Sequence, residues 1–173
     1  MNPATPELLA VDWWALGPVI ALSVGICLLL LLEFLPAGPR SGRGAWVSLF
    51  TLASAAACVF RVGNAKRAPF EGMFLHDGIT AFMTLLFCGI GAISVLLSWD
   101  YIRRTRINLG EYYALMLSAI LGMVIMAASS DLITIFLGLE LMSLALYVLV
   151  GFQRSHLESS EASMKYFLLG AFA

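Results

Sequence analysis

The sequence predicts an all-α fold: a polytopic transmembrane helical bundle of five full spans plus a truncated sixth. Composition is the first reason. Hydrophobic residues make up 61% and charged residues only 12%, with a mean hydropathy of +0.92, whereas soluble domains carry about 25% charged residues. The second reason is spacing. Apolar residues come in blocks of the length at which a helix, rising about 1.5 Å per residue, crosses a hydrocarbon core of about 30 Å. A net charge of −1 offers no basic surface for nucleic acid or for acidic substrates.

Five blocks have spanning length: residues 15–35, 45–62, 78–98, 112–128 and 132–152. Polar segments separate them: a Pro/Gly-rich turn at 36–44, a longer loop at 61–72, a basic cluster at 98–111 and a tight turn at 129–131. A sixth apolar run begins near Ser160 and reaches Ala173. At about 14 residues, roughly 21 Å as a helix, it is too short to cross and reads as a helix cut short. Ser155 with Glu158, and Ser159-Ser160-Glu161, have the chemistry of helix starts.

Basic residues give the orientation, because short cytoplasmic loops hold an excess of Lys and Arg. With the N-terminus outside, the inner loops contain Arg40, Arg43, Arg103, Arg104, Arg106 and Arg154, against Arg61, Lys66 and Arg67 on the outer side. Trp13, Trp14, Trp46, Trp99, Tyr112 and Tyr113 fall at predicted helix ends, as interfacial aromatics should. Glu7 and Asp12 precede the first span and no basic residue does, which reads against a cleaved signal peptide.

Cys27, Cys58 and Cys88 lie inside apolar runs with no CxxC partner, so they read as small buried packing residues rather than metal ligands. His76-Asp77 reads as a solvated helix start with Asp77 as the cap. No metal or cofactor site is expected in this chain.

One charge stands out. Glu140 lies near the middle of residues 132–152, too deep for its short side chain to reach either surface. Thirteen Leu, Ile, Val or Phe residues share that run. At about −0.3 to −0.6 kcal/mol each they outweigh the roughly +2.5 to +3.5 kcal/mol of one ionised group, so the helix inserts despite the acid. One reading is packing alone, with the acid hydrogen-bonding a neighbouring helix or Ser143 one turn on. The other is function, the default for an ionisable group inside a membrane. Lys165 is the other charge well inside a predicted span, about 9 Å from the inner end. Glu161, four residues before it, is at ion-pair spacing, and a Lys stem can snorkel to the interface. An acid and an amine differing in depth by roughly 9 Å, with water between them, are the parts of a proton relay.

At these residues the chain resembles a known family. FLGLELMSLALYVLVGFQRSHLESSEASMKYFLLGAFA (136–173), with its GLELMSL and SSEASMKYFLLGAFA elements, closely resembles the subunit N family of bacterial proton-pumping NADH–quinone oxidoreductase, respiratory complex I. HDGITAF at the third span and SSDLITIFLGLE at the fifth agree with that resemblance. The family is antiporter-like, and its fold contains inverted five-helix repeats beginning at the fourth helix. The resemblance therefore implies that residues 1–111 are three N-terminal helices and that 112–173 begin the first repeat. It also places the family's relay glutamate on Glu140 and its sixth-helix lysine on Lys165, while the family's main partner for the glutamate belongs to a seventh helix beyond this sequence.

The resemblance further implies proton translocation coupled to quinone reduction, as one membrane subunit of the NADH–quinone oxidoreductase. NADH, FMN, iron–sulfur clusters and quinone would be bound by other subunits. The implied partners are the other membrane subunits of complex I and the lipid bilayer, with no nucleic acid, in the bacterial inner (plasma) membrane. Two alternatives stay open: a cation/proton antiporter subunit, and a purely structural membrane element.

Overall fold

A computed structural model describes residues 13–33, 42–62, 73–105, 109–153 and 156–172. Six helices follow in order: α1 (Gly17–Glu33), α2 (Arg43–Val62), α3 (Gly78–Thr105), α4 (Leu109–Ala128), α5 (Leu132–Val150) and α6 (Leu157–Ala171). Among the described residues the only extended pairing is an isolated antiparallel bridge between Phe74 and Ser129. The all-α bundle is therefore as predicted. Helices α2 to α5 are long and apolar enough to cross a membrane, and α1, with 17 residues, is shorter. It is about 26 Å long, close to the lower limit for a span.

Several boundaries move. The basic cluster expected to be a loop is mostly helix: α3 runs on to Thr105, 28 residues in all, and α4 begins at Leu109. Burial explains the extension, because Ile102 is only 1% exposed and belongs to the apolar core. α6 begins at Leu157, not near Ser160, with His156 at the N-cap and no side-chain capping bond. Ser159 is drawn elsewhere, its hydroxyl donating to the Val150 carbonyl at 2.7 Å. Ser155, Arg40, Lys66, Arg67, Arg106 and Arg154 lie outside the described residues.

Helix α4 is the hub. It packs against α1, α2, α3 and α5, and its packing on α5 is the most extensive. Leu117, Ile120, Leu121 and Val124 of α4 meet Leu22 and Leu29 of α1, Leu52 and Ala55 of α2, and Cys88 and Val95 of α3. One core thus runs across the division expected at residue 111. Buried Thr80 donates across to the Ala127 carbonyl of α4 at 3.2 Å, while Ser48 and Thr51 are satisfied within α2, donating to the Gly44 and Val47 carbonyls, both at 2.8 Å. This back-bonding hides polar groups that hydrocarbon would leave unpaired.

The cysteines divide. Cys88 is buried, Cys58 half-buried and Cys27 exposed, so the packing role expected for all three fits Cys88 best. α1 turns the Cys27 side of its surface away from the bundle, where a free thiol behaves as a small apolar group. Tyr113 is 2% exposed and belongs to the core, not to an interfacial belt. Its neighbour Tyr112 stays near the start of α4, its hydroxyl 3.0 Å from Ser98 Oγ and its ring edge-on to Phe152. Trp46 and Trp99 pair edge to face at 5.9 Å at the same end.

At the opposite end of the bundle, residues before α3 cross the α4–α5 turn. Leu75 donates its N–H to the Ala128 carbonyl at 2.7 Å, and Ser130 donates to Met73 at 3.0 Å. Asp77 accepts from the Thr80 N–H at 2.8 Å and so caps α3 as expected. His76 is not solvated: it is 4% exposed beneath this crossing, beside Leu16, Phe74, Thr80 and Thr84.

Candidate functional site

Helix α5 carries the candidate site, and its ends are well defined. The Asp131 carboxylate accepts from the N–H groups of Ile133 and Thr134 at 3.2 and 3.3 Å, satisfying two of the first-turn donors that a helix cannot pair internally. Gly151 closes the other end, its N–H donating to the Tyr147 carbonyl at 3.3 Å.

Two faces of α5 do different work. Thr134, Gly138 and Ala145 are buried, and Leu141 packs on the core. Gly138 and Gly122 touch backbone to backbone, so this stripe faces α4. Glu140 lies two residues from Gly138, a little over half a turn round, and therefore points away from α4. It sits about 12 Å from the N-terminal end of α5 and about 15 Å from the C-terminal end. Its side chain is half-buried and forms no hydrogen bond or ion pair with a described residue, Ser143 included.

The face that Glu140 shares, two turns along, is where α6 docks. Ser163 Oγ donates to the Tyr147 carbonyl at 2.8 Å, and Ser159 Oγ to that of Val150. The Tyr147 ring stands edge-on to Tyr166 at 5.0 Å and to Phe167 at 5.6 Å. Its hydroxyl lies against Gly170, in the place a Cβ there would take. These contacts, with a Cβ on Gly151 falling 2.9 Å from Ser163 Cβ, fix an antiparallel register in which Ser163 lies level with the turn between Tyr147 and Gly151. Seven residues on in α6 and seven back in α5, about two turns, Gly170 of α6 comes level with about Met142, and Glu140 lies about 3 Å beyond it along α5.

Lys165 falls elsewhere. It is two residues from Ser163, so it lies on the far side of α6 from α5. Its side chain is 69% exposed and pairs with Glu161, itself 65% exposed, at 2.5 Å. The register puts it about 10 Å nearer than Glu140 to the α5–α6 connection, close to the 9 Å expected, but on an opposing face. Glu140 and Lys165 are not brought together by α5 and α6. Tyr147 and Gly170 carry no charge and escaped notice in the sequence; the seven-residue interval between Glu140 and Tyr147 was the available signal. Among the described residues no group of three or more His, Cys, Asp or Glu gathers as a metal site.

Similarity to known proteins follows this geometry. Residues 129–173, which hold α5 and α6, match the family described as NADH:quinone oxidoreductase/Mrp antiporter, TM. NADH-quinone oxidoreductase subunit N of Trichlorobacter lovleyi is 42% identical over 157 residues, covering 90% of this chain and 32% of the relative. The subunit N of Alkalilimnicola ehrlichii is 35% identical over 175 residues, covering all of this chain and 36% of the relative. In structure, the chain superposes on respiratory complex I from Thermus thermophilus with bound aureothin at a TM-score of 0.72 and 30% identity, covering 90% of this chain and 33% of that one. The chain thus spans about a third of the length of the relatives it matches. With the same helices, the same α5–α6 segment and identities of this size along nearly its whole length, the chain belongs to the NADH-quinone oxidoreductase subunit N family.

Proposed function

We propose that this chain works as part of a membrane subunit of a proton-translocating NADH–quinone oxidoreductase, and that Glu140 is a proton-relay group in it. One observation carries the reading: a carboxylate at mid-depth of a spanning helix, half-buried, turned from the α4 interface and unpaired among the described residues. A carboxyl group in that position can accept a proton on one oxygen and hand it on to a neighbouring donor–acceptor group or water. Lys165 joins the relay from its edge, held by Glu161 and acting across water instead of by contact. Other membrane subunits of the complex and the lipid bilayer are the partners. NADH, FMN, iron–sulfur clusters and quinone belong to other subunits, and the membrane is the bacterial inner membrane with the N-terminus outside. The repeat that begins at α4 supplies the first part of the pathway.

The matched family also spans Mrp antiporters, and a cation/proton antiporter would use the same acid. NADH oxidation by the intact membrane complex separates the two. The relay reading is tested by Glu140→Gln, which keeps size and hydrogen bonding but cannot ionise. Proton uptake into vesicles holding the assembled complex, normalised to subunit content, should drop substantially, with Glu140→Asp retaining part of it. Wild-type uptake by the Gln variant would refute the relay and leave Glu140 a packing residue.

A further inference from the structure

We propose that the Tyr147 hydroxyl is the proton-passing group next to Glu140, linking it to the inner end of the α5–α6 seam; this rests on the relay reading of Glu140. Three observations converge on it. Tyr147 lies two turns from Glu140 on the same face of α5. Its ring is clamped edge-on between Tyr166 and Phe167, so the phenol has a fixed direction. Helical side chains lean toward the N-terminus of their helix, which for Tyr147 is the direction of Glu140. The hydroxyl accordingly ends against Gly170, about 3 Å short of the level of Glu140 along the axis. The ring thus spans most of the axial distance between the two residues.

The hydroxyl itself has capacity to spare. It makes no hydrogen bond to a described residue, whereas partly buried tyrosines ordinarily find a partner for that group. It can donate one proton and accept two hydrogen bonds. Behind it, toward the inner end, Ser163 and Ser159 line the same seam with further hydroxyls. These serines donate to backbone carbonyls and serve as packing contacts between the helices, but their oxygens still accept a bond from water. The transfer is a concerted hop. The Tyr147 O–H gives its proton to the Glu140 carboxylate, directly or through one water, as the phenol oxygen takes a proton from a water on the seam side, and that water is reprotonated by the next one toward the end of the seam, so no hydroxide is left behind. One proton advances, and the phenol is restored.

Gly170 has a place in this arrangement. A methyl group there would occupy the position of the hydroxyl and push the phenol out of line.

The test uses the assembled membrane complex containing this chain, with Tyr147→Phe, Tyr147→Leu, Gly170→Ala and Glu140→Gln compared in vesicles. A ring that only packs is preserved in Phe and lost in Leu. A proton-passing hydroxyl is lost in both. General acid–base groups contribute about 10²–10⁴-fold and water replaces a hydroxyl in part, so Tyr147→Phe should lower proton uptake by about tenfold at normal subunit content. Gly170→Ala, which keeps the phenol but displaces it, should also lower uptake, and it decides the matter if Tyr147→Phe fails to assemble. Wild-type uptake by Tyr147→Phe alongside impaired Glu140→Gln would overturn the role of Tyr147 and leave that of Glu140. Wild-type uptake by both variants would overturn both.

Discussion

Gly122 and Gly138 face each other across the α4–α5 crossing. A Cβ on Gly122 would lie 2.6 Å from the Gly138 carbonyl oxygen, and one on Gly138 would lie 2.9 Å from that of Gly122. Small residues that let two backbones touch are how membrane helices associate where the hydrophobic effect gives no help. The contact also sets the rotation of α5 and so the direction in which Glu140 points.

Gly138→Val should therefore act in two ways. Overpacking at a backbone contact costs about 1–3 kcal/mol, so less subunit should accumulate in the membrane and the detergent-extracted complex should melt lower. The complex that does assemble should pump less, because α5 is forced off α4 and Glu140 turns with it. Gly138→Val with wild-type melting and wild-type pumping would mean that the two helices do not meet at these glycines.

Lys165→Ala in the assembled complex should impair proton uptake less than Glu140→Ala. The reason is position: Lys165 faces away from α5 and already has Glu161 as its partner. Solvent-exposed ion pairs contribute about 0–1 kcal/mol, so assembly should change little. An equal or greater loss at Lys165 would put it in the relay proper and give the far face of α6 a direct part in transfer.

Asp131→Ala removes the N-cap of α5 and should cost about 1 kcal/mol, lowering the melting temperature of the complex, whereas Asp131→Asn keeps an accepting oxygen and should lose much less. Equal melting for the Ala and Asn variants would show that the cap bonds to Ile133 and Thr134 contribute nothing net.

Orientation is checked by reporter fusions. One placed after Arg106 should be cytoplasmic and one at Asn64 should be outside, following the excess of inner-loop arginine. The reverse labelling would exchange the two ends of the α5–α6 seam and make the outer side the source of protons for Tyr147.

Helix number, type and approximate span were legible in the sequence, because hydrocarbon forces every backbone polar group into a helix and a run of about 20 apolar residues is hard to mistake. The mid-helix position of Glu140 was legible for the same reason, as a charge in such a run has no bland solvent to face. The boundary between α3 and α4 was not. The basic cluster after Ser98 looks like a loop by composition, but burial of Ile102 carries α3 through it. His76 likewise looks polar in sequence, and only the chain crossing at Phe74 and Ser129 buries it.

Faces were decided by tertiary structure alone. Depth along a helix can be counted from the sequence, but the side of the helix that meets a neighbour depends on which surfaces pack. The sequence put Glu140 and Lys165 at nearly the right difference in depth and had no means of knowing that α6 would turn Lys165 away from α5. The docking of Ser159, Ser163 and Gly170 on the Tyr147 side decided that. A one-dimensional pattern fixes position along an axis, whereas rotation about it is set by the pairwise fit of side chains on separate helices.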